Sequence, residues 1–264
     1  RQSDLVIVAI GGNEQTSREA WAETHLGDRT SLKPVGPQEE LVREVLGTGT
    51  PTVTFLNHGR PFAIPELVED VPALLDGWYL GQETGRAVAD VLFGEVNPSG
   101  HLPVTIPRSI GQLPLFYNHK PSALRGYLFE STEPLFPFGY GESYTTFEYS
   151  NLQLSTDQIG PQGRTTATVE VTNTGDRAGA DVVQMYLRDR VSSVTRPVQE
   201  LRGFERVTLD PGETTTVTFE IGPDDLSFWG PDMEEIVEPG LFELRIGHSA
   251  TDIAQTASLE IVGQ

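Results

Sequence analysis

The alternation of apolar and polar positions changes character once along the chain. Residues 5–10 (LVIVAI) form an unbroken apolar run, the pattern of a strand buried in a parallel sheet. Residues 37–46 carry apolar positions at helical spacing. Residues 52–56 (TVTFL) predict a second short strand, introduced by the turn formers Thr48-Gly49-Thr50-Pro51. Residues 62–69 begin another helical piece, and 73–78 (ALLDGW) predict a third strand with a helix-like start. Residues 83–93 (ETGRAVADVLF) are again helical in period and stop at Gly94. Strands separated by helices imply βαβ units and a mostly parallel sheet. From about Tyr149 the period becomes two. Residues 165–172 (TTATVEVT), 180–187 (ADVVQMYL), 214–221 (TTTVTFEI), 241–246 (LFELRI) and 257–262 (ASLEIV) alternate apolar and polar. Turn formers cluster at Asn173-Thr174-Gly175-Asp176, Asp210-Pro211-Gly212 and Glu238-Pro239-Gly240. This half predicts an antiparallel β-sandwich of about seven strands.

Between the two halves, residues 97–107 (NPSGHLPVTIP) are turn-rich and then extended. Pro103 and Pro107 disfavour helix there. Residues 109–144 have no period but many aromatics, which predicts an ordered linker packed over a surface. The expected fold is thus α/β followed by all-β. Residues 1–120 form a mostly parallel-sheet α/β domain, 121–147 a linker, and 148–264 a β-sandwich.

One loop stands out. Residues 11–38 connect the first strand to the first helix, and loops this long inside a compact domain are usually functional or disordered. The loop carries Glu14, Arg18, Glu19, Glu23, His25, Asp28 and Arg29. It leaves the C-terminal end of a strand, where open α/β sheets place their sites.

Composition narrows the partners. The 264 residues include 38 acidic and 18 basic side chains, for a net charge of -20. That argues against nucleic acid or an anionic membrane surface. No apolar run approaches the roughly 18 residues of a membrane span. Cysteine is absent, so disulfides and thiolate chemistry are excluded while the compartment stays open. The chain starts at Arg1 and enters a core strand almost at once, which reads as one piece of a longer protein whose targeting signal lies outside this sequence.

The candidate chemistry is sparse. Gly11-Gly12 follows a strand, but no third glycine falls at the dinucleotide spacing, so no cofactor is expected. Glu23, His25 and Asp28 match no strong metal spacing, and no metal is expected. Ser31, Ser99 and Ser109 sit in no nucleophile-elbow pattern. Trp78, Tyr79 and His58-Gly59-Arg60-Pro61 follow strands at the presumed site edge, where packing and the lining of a sugar pocket are both open to them. Glu19 and Glu23, close to Arg18, His25 and Arg29, offer a general acid and base if burial raises a carboxyl pKa. Solvated surface charge is the competing reading. No second motif supplies the partner carboxylate that glycoside cleavage needs.

Several stretches, in order, resemble family 3 glycoside hydrolases, the β-glucosidases and β-xylosidases. They are TSREAWAE (16–23), LGDR (26–29), Ser31-Leu32, Gln38, Thr50-Pro51-Thr52-Val53 and NHGRP (57–61). They continue through WYLGQE (78–83), LFGEVNPSG (92–100), LPVTIP (102–107), LFPFGYG (135–141) and SYTTF (143–147). The second half is similar to the fibronectin type III-like domain of those enzymes, through VTNTG (171–175) and Glu238-Pro239-Gly240. Two departures are visible: Glu142 stands where Leu is usual, and His101 where Arg or Lys is usual.

The resemblance implies a retaining, exo-acting β-glycosidase. The nucleophile, an Asp, would lie on a (β/α)8 barrel absent here, so the barrel part of the same enzyme is an implied partner. The α/β domain is expected to be incomplete at its N-terminus, and this chain alone inactive. A β-linked glycoside or oligosaccharide is the implied substrate, with β-glucosidase favoured over β-xylosidase. The acid/base Glu would be Glu23, which matches with at most a short insertion before Gly27; Glu19, the alternative, requires a longer one. Arg18, His25 and Arg29 would bind substrate or orient the loop. Secretion or a bacterial periplasm is the expected location, and homo-oligomerisation stays open. The rival reading is a non-catalytic carbohydrate-binding or scaffold module.

Overall fold

The computed structural model describes residues 3–17, 23, 29–123 and 126–263. The chain divides into two compact units, one of residues 1–96 and 106–114, the other of residues 97–105 and 115–264.

The first unit is built on a parallel sheet. β1 (Val6–Gly11) pairs with β2 (Thr52–Asn57), and β2 with β3 (Leu74–Asp76), in the order β1-β2-β3. The register sets Gly11 opposite Asn57, and Leu56 opposite Asp76, so all three strands end at one edge. Among the described residues, three helices of six residues or more punctuate the strands. α1 (Gln38–Leu46) has Glu39 and Glu40 in its first turn and Arg43 in its last, which complements the helix dipole. α2 (Pro65–Asp70) starts with proline at a position whose N–H has no helical partner. It stops at Val71, which is extended because Pro72 follows. α3 (Thr84–Leu92) follows a 3-10 turn over Gly81–Glu83 and ends before Gly94, whose φ of 78° suits glycine.

Val8, Ile10, Phe55, Leu56, Phe62, Ile64, Val42 and Leu67 are buried in this unit. Each fully buried aliphatic side chain contributes about 1.5–3 kcal/mol relative to exposure. β1 departs from the sequence expectation. Its alternate side chains, Ile7 at 47 % exposure and the preceding Leu5 at 44 %, face outward. The apolar run is continuous, yet the described residues cover only one of its faces. The third strand is also shorter than residues 73–78, with Gly77 and Trp78 forming the exit from it.

The second unit is a sandwich of two sheets. One has the order β4-β6-β9, from β4 (Phe147–Leu154), β6 (Thr165–Asn173) and β9 (Thr214–Ile221). The other has the order β5-β13-β12-β7-β8, from β5 (Gln158–Ile159), β13 (Ile253–Ile261), β12 (Gly240–Gly247), β7 (Gly179–Asp189) and β8 (Glu200–Leu209). A small hairpin, β10 (Phe228–Trp229) with β11 (Glu235–Ile236), lies outside both sheets. Val169, Val171, Val217 and Phe219 from one sheet share a core with Val183, Met185, Leu244, Ile246 and Leu259 from the other. β6 alternates buried and half-buried along its whole length, which is why its period-two pattern is so clean.

Three strands of the two sheets escaped the pattern: β4, β8 and the two-residue β5. β8 is an edge strand with Glu205, Arg206 and Phe204 exposed, and a register shift in its partner falls between Met185 and Tyr186. An exposed, charged edge weakens the alternation that marks a half-buried strand. β4 contains Asn151 at a φ of 54° and a register shift between Ser150 and Gln153, which break the count.

Candidate active site

The site is assembled at the edge where the parallel strands end. The chain leaves β1 at Gly11, whose amide donates to Gln38 Oε1 at 2.7 Å. Gln38 Nε2 returns bonds to Gly11 O at 3.0 Å and Val35 O at 2.8 Å. The first residue of α1 thus closes the base of the long loop. Only glycine fits at position 11, because a Cβ there would lie 1.8 Å from Asn57 O. At the start of the loop, Asn13 and Thr16 cap one helical turn reciprocally, with Asn13 N to Thr16 Oγ1 at 2.9 Å and Thr16 N to Asn13 Oδ1 at 3.0 Å.

The exits of β2 and β3 meet at His58. This ring is buried at 1 % exposure, between Phe62 and Trp78 at centroid distances of 4.8 and 4.9 Å. Its Nε2 lies 3.0 Å from Asp76 Oδ1 and its Nδ1 2.5 Å from Arg60 O, so it is pinned from both ends. Asp76 Oδ1 also accepts the Trp78 amide at 3.2 Å. Trp78 has a φ of 48°, a left-handed conformation costing about 1–2 kcal/mol outside glycine. The Asp76 carboxylate therefore holds both a buried imidazole and a strained tryptophan. Beyond it, Tyr79 Oη donates to Gly12 O at 3.0 Å, tying the β3 exit to the β1 exit. A Cβ on Gly59 would lie 2.4 Å from the Tyr79 ring.

The sequence-predicted residues fall differently. Glu23 is exposed, in a turn on the loop. Arg29 donates to Thr16 O at 3.4 Å and to Lys33 O at 3.1 Å, bracing the two ends of the loop. Arg18, Glu19 and His25 lie outside the described residues. His58 serves packing and hydrogen bonding. Asp76 was not singled out by the sequence, where its only signal is an Asp-Gly-Trp run closing a strand. Among the described residues no group of three or more His, Asp or Glu side chains is placed to hold a metal ion. No helix among the described residues is long and apolar enough to cross a membrane.

Comparison with known proteins agrees with this architecture. Residues 1–144 match the glycosyl hydrolase family 3 C-terminal domain, and residues 181–250 the fibronectin type III-like domain. A β-xylosidase of Formosa agariphila is 43% identical over 266 residues, covering 99% of this chain and 36% of that protein. A periplasmic β-glucosidase of Salmonella typhimurium is 42% identical over 266 residues, covering 97% of this chain and 34% of that protein. Among solved structures, a β-glucosidase from Erythrobacter marinus superimposes with a TM-score of 0.95 at 46% identity, over 99% of this chain and 35% of that one. A glucose complex of the Listeria innocua β-glucosidase gives 0.89 at 35% identity, over 99% of this chain and 37% of that one. The chain spans about a third of the length of these relatives. The parallel sheet with its long first loop, the sandwich behind it in sequence and these matches together assign the chain to family 3 of the glycoside hydrolases, through its C-terminal and fibronectin type III-like domains.

Proposed function

We propose that this chain supplies the general acid/base of a retaining, exo-acting β-glycosidase, with terminal β-linked glucose the favoured substrate and xylose the alternative. Glu23 takes that role, with Glu19 the alternative, and the nucleophilic Asp resides on a (β/α)8 barrel of the same enzyme. The observation that carries this reading is the placement of Glu23. It is exposed on the long loop leaving the edge where β1, β2 and β3 all end.

The mechanism is double displacement. The Glu23 carboxylic acid gives its proton to the glycosidic oxygen while the barrel carboxylate attacks the anomeric carbon and the aglycone leaves. The Glu23 carboxylate then removes a proton from water as that water opens the glycosyl-enzyme. The sugar departs with its configuration retained, which requires the carboxyls about 5–5.5 Å apart. Arg29, braced between Thr16 and Lys33, positions the loop, with Arg18 and His25 assigned the same task. Without the barrel this chain lacks the nucleophile and is inactive alone.

Azide rescue in the assembled enzyme tests the assignment. With an aryl β-glycoside bearing a good leaving group, Glu23→Ala is expected to stall at the glycosyl-enzyme. Azide, which needs no base, then restores turnover and gives a β-glycosyl azide. Rescue of Glu19→Ala alone moves the acid/base to Glu19. Full activity in both variants removes the acid/base from this loop.

A further inference from the structure

The second unit holds a buried charge cluster that the proposed glycosidase chemistry does not use. Asp181, on β7, is 6 % exposed and accepts from four donors. His101 Nε2 at 3.2 Å and Val182 N at 2.9 Å reach Oδ1. Tyr149 Oη at 2.7 Å and His248 Nδ1 at 3.2 Å reach Oδ2. Asp181, His101 and His248 line a cavity of about 520 Å³ together with Tyr140, Glu142 and Asp252.

Counting protons decides the state of His101. Its Nδ1 lies 2.5 Å from Gly139 O, and Gln184 Nε2 lies 3.3 Å away. Gln184 cannot donate to the ring. Its Oε1 accepts from Tyr186 Oη at 2.6 Å, and its two amide hydrogens go to Gly139 O at 3.0 Å and His248 O at 2.6 Å. Both ring nitrogens of His101 therefore face acceptors. Either neutral tautomer would turn a lone pair on Gly139 O or on Asp181 Oδ1. Burial opposes the charge, but the bonds to Asp181 and Gly139 outweigh it and raise the His101 pKa above its ordinary value.

His101 sits in a strap, residues 97–105, whose neighbours in sequence on both sides belong to the first unit. The strap is stitched to the second unit throughout. Asn97 donates to Ala178 O and accepts from Ser143 and the Tyr144 amide. Ser99 accepts from Arg206 at 3.1 Å. Leu102 N donates to Tyr140 O, and Gly139 N to Leu102 O, both at 2.8 Å.

We propose that the His101–Asp181 pair is a proton-dependent clamp that holds this strap on the β-sandwich and releases it as pH rises. The groups around the pair are Tyr149 on β4 and His248 after β12, which bond to Asp181, and Asp252, Tyr140 and Glu142, which line the same cavity; Arg206 on β8 reaches the strap at Ser99. His248 donates to the other oxygen of Asp181.

Amide hydrogen exchange on the full chain from pH 6 to 9 tests the clamp. Protection at Leu102 and Gly139, normalised to amides of β6 and β9, is expected to fall by up to about tenfold per pH unit between the ordinary histidine pKa and the raised pKa of the clamped ring, and to level off above it. His101→Lys is expected to abolish that fall, and His101→Gln to give the low protection at every pH. Equal slopes in wild type and His101→Lys, or a wild-type strap that tracks the reference strands, would overturn the proposal. If His101→Gln does not fold, a histidine NMR titration decides: His101 titrating at or below its ordinary pKa refutes the clamp.

Discussion

Removing the carboxylate of Asp76 is the sharpest test of how the site edge is held. In Asp76→Ala, His58 Nε2 loses its acceptor at 3.0 Å inside a ring that is 1 % exposed. Stranding a buried polar group costs about 1–3 kcal/mol. The Trp78 amide loses its acceptor at 3.2 Å, worth about 1 kcal/mol, while the left-handed φ of 48° stays unfavourable. The Asp76 side chain is 25 % exposed, so water recovers part of this. The expected loss is about 2–3 kcal/mol. With a urea dependence of about 1–3 kcal/mol per molar, the midpoint for the first unit drops by about 0.7–3 M. Tryptophan fluorescence reads it, since Trp78 is itself released. Asp76→Asn keeps an acceptor oxygen and is expected to lose about half as much. A midpoint for Asp76→Ala within about 0.3 M of wild type, given that slope, would mean that solvent already supplies these bonds and that the clasp does not hold the β3 exit.

Two further changes probe the second unit. Asn173 is fully buried, with Nδ2 donating to Arg177 O and Leu209 O and Oδ1 accepting from Thr145 and the Gly175 amide. Asn173→Ala strands several of these groups and is expected to cost about 2–4 kcal/mol in urea unfolding; wild-type stability would refute the account of this corner. Tyr149→Phe removes one donor from the Asp181 carboxylate, worth about 1.5–3 kcal/mol near neutral pH. Burial pushes that carboxyl up, but bonds from His101, His248 and Tyr149 hold it well below the usual range. A carboxyl lowered on folding stabilises above its unfolded pKa and loses that stability as pH falls. The gap between wild type and Tyr149→Phe is therefore expected to narrow below about pH 4. A gap that widens with acid would contradict the sign.

Much of the fold was legible because burial imposes a period. β6 alternates buried and half-buried without a break, and Val169, Val171 and Ala167 announce it from sequence alone. β8 did not announce itself, because an edge strand with Phe204, Glu205 and Arg206 in solvent carries no such alternation. In the first unit the continuous run of β1 pointed to a parallel strand, and its partner β2 lies parallel to it in register. That Ile7 faces outward follows from which layers surround the sheet, a fact about neighbours that no local window contains.

The site divides along the same line. Sequence by itself determined that a long charged loop leaves the first strand, that Glu23 and Arg29 ride on it, and which family the motifs belong to. Only the tertiary structure decided that Gln38 closes the loop, that Asp76 holds His58 and a left-handed Trp78, and that Asp181 gathers two histidines and a tyrosine from distant segments. The reason is the range of the forces involved. Periodicity and turn chemistry act over a few residues, so they are written locally. Satisfying a buried carboxylate depends on donors as far along the chain as His101 and His248 are from Asp181, and their meeting exists only once the strands have packed.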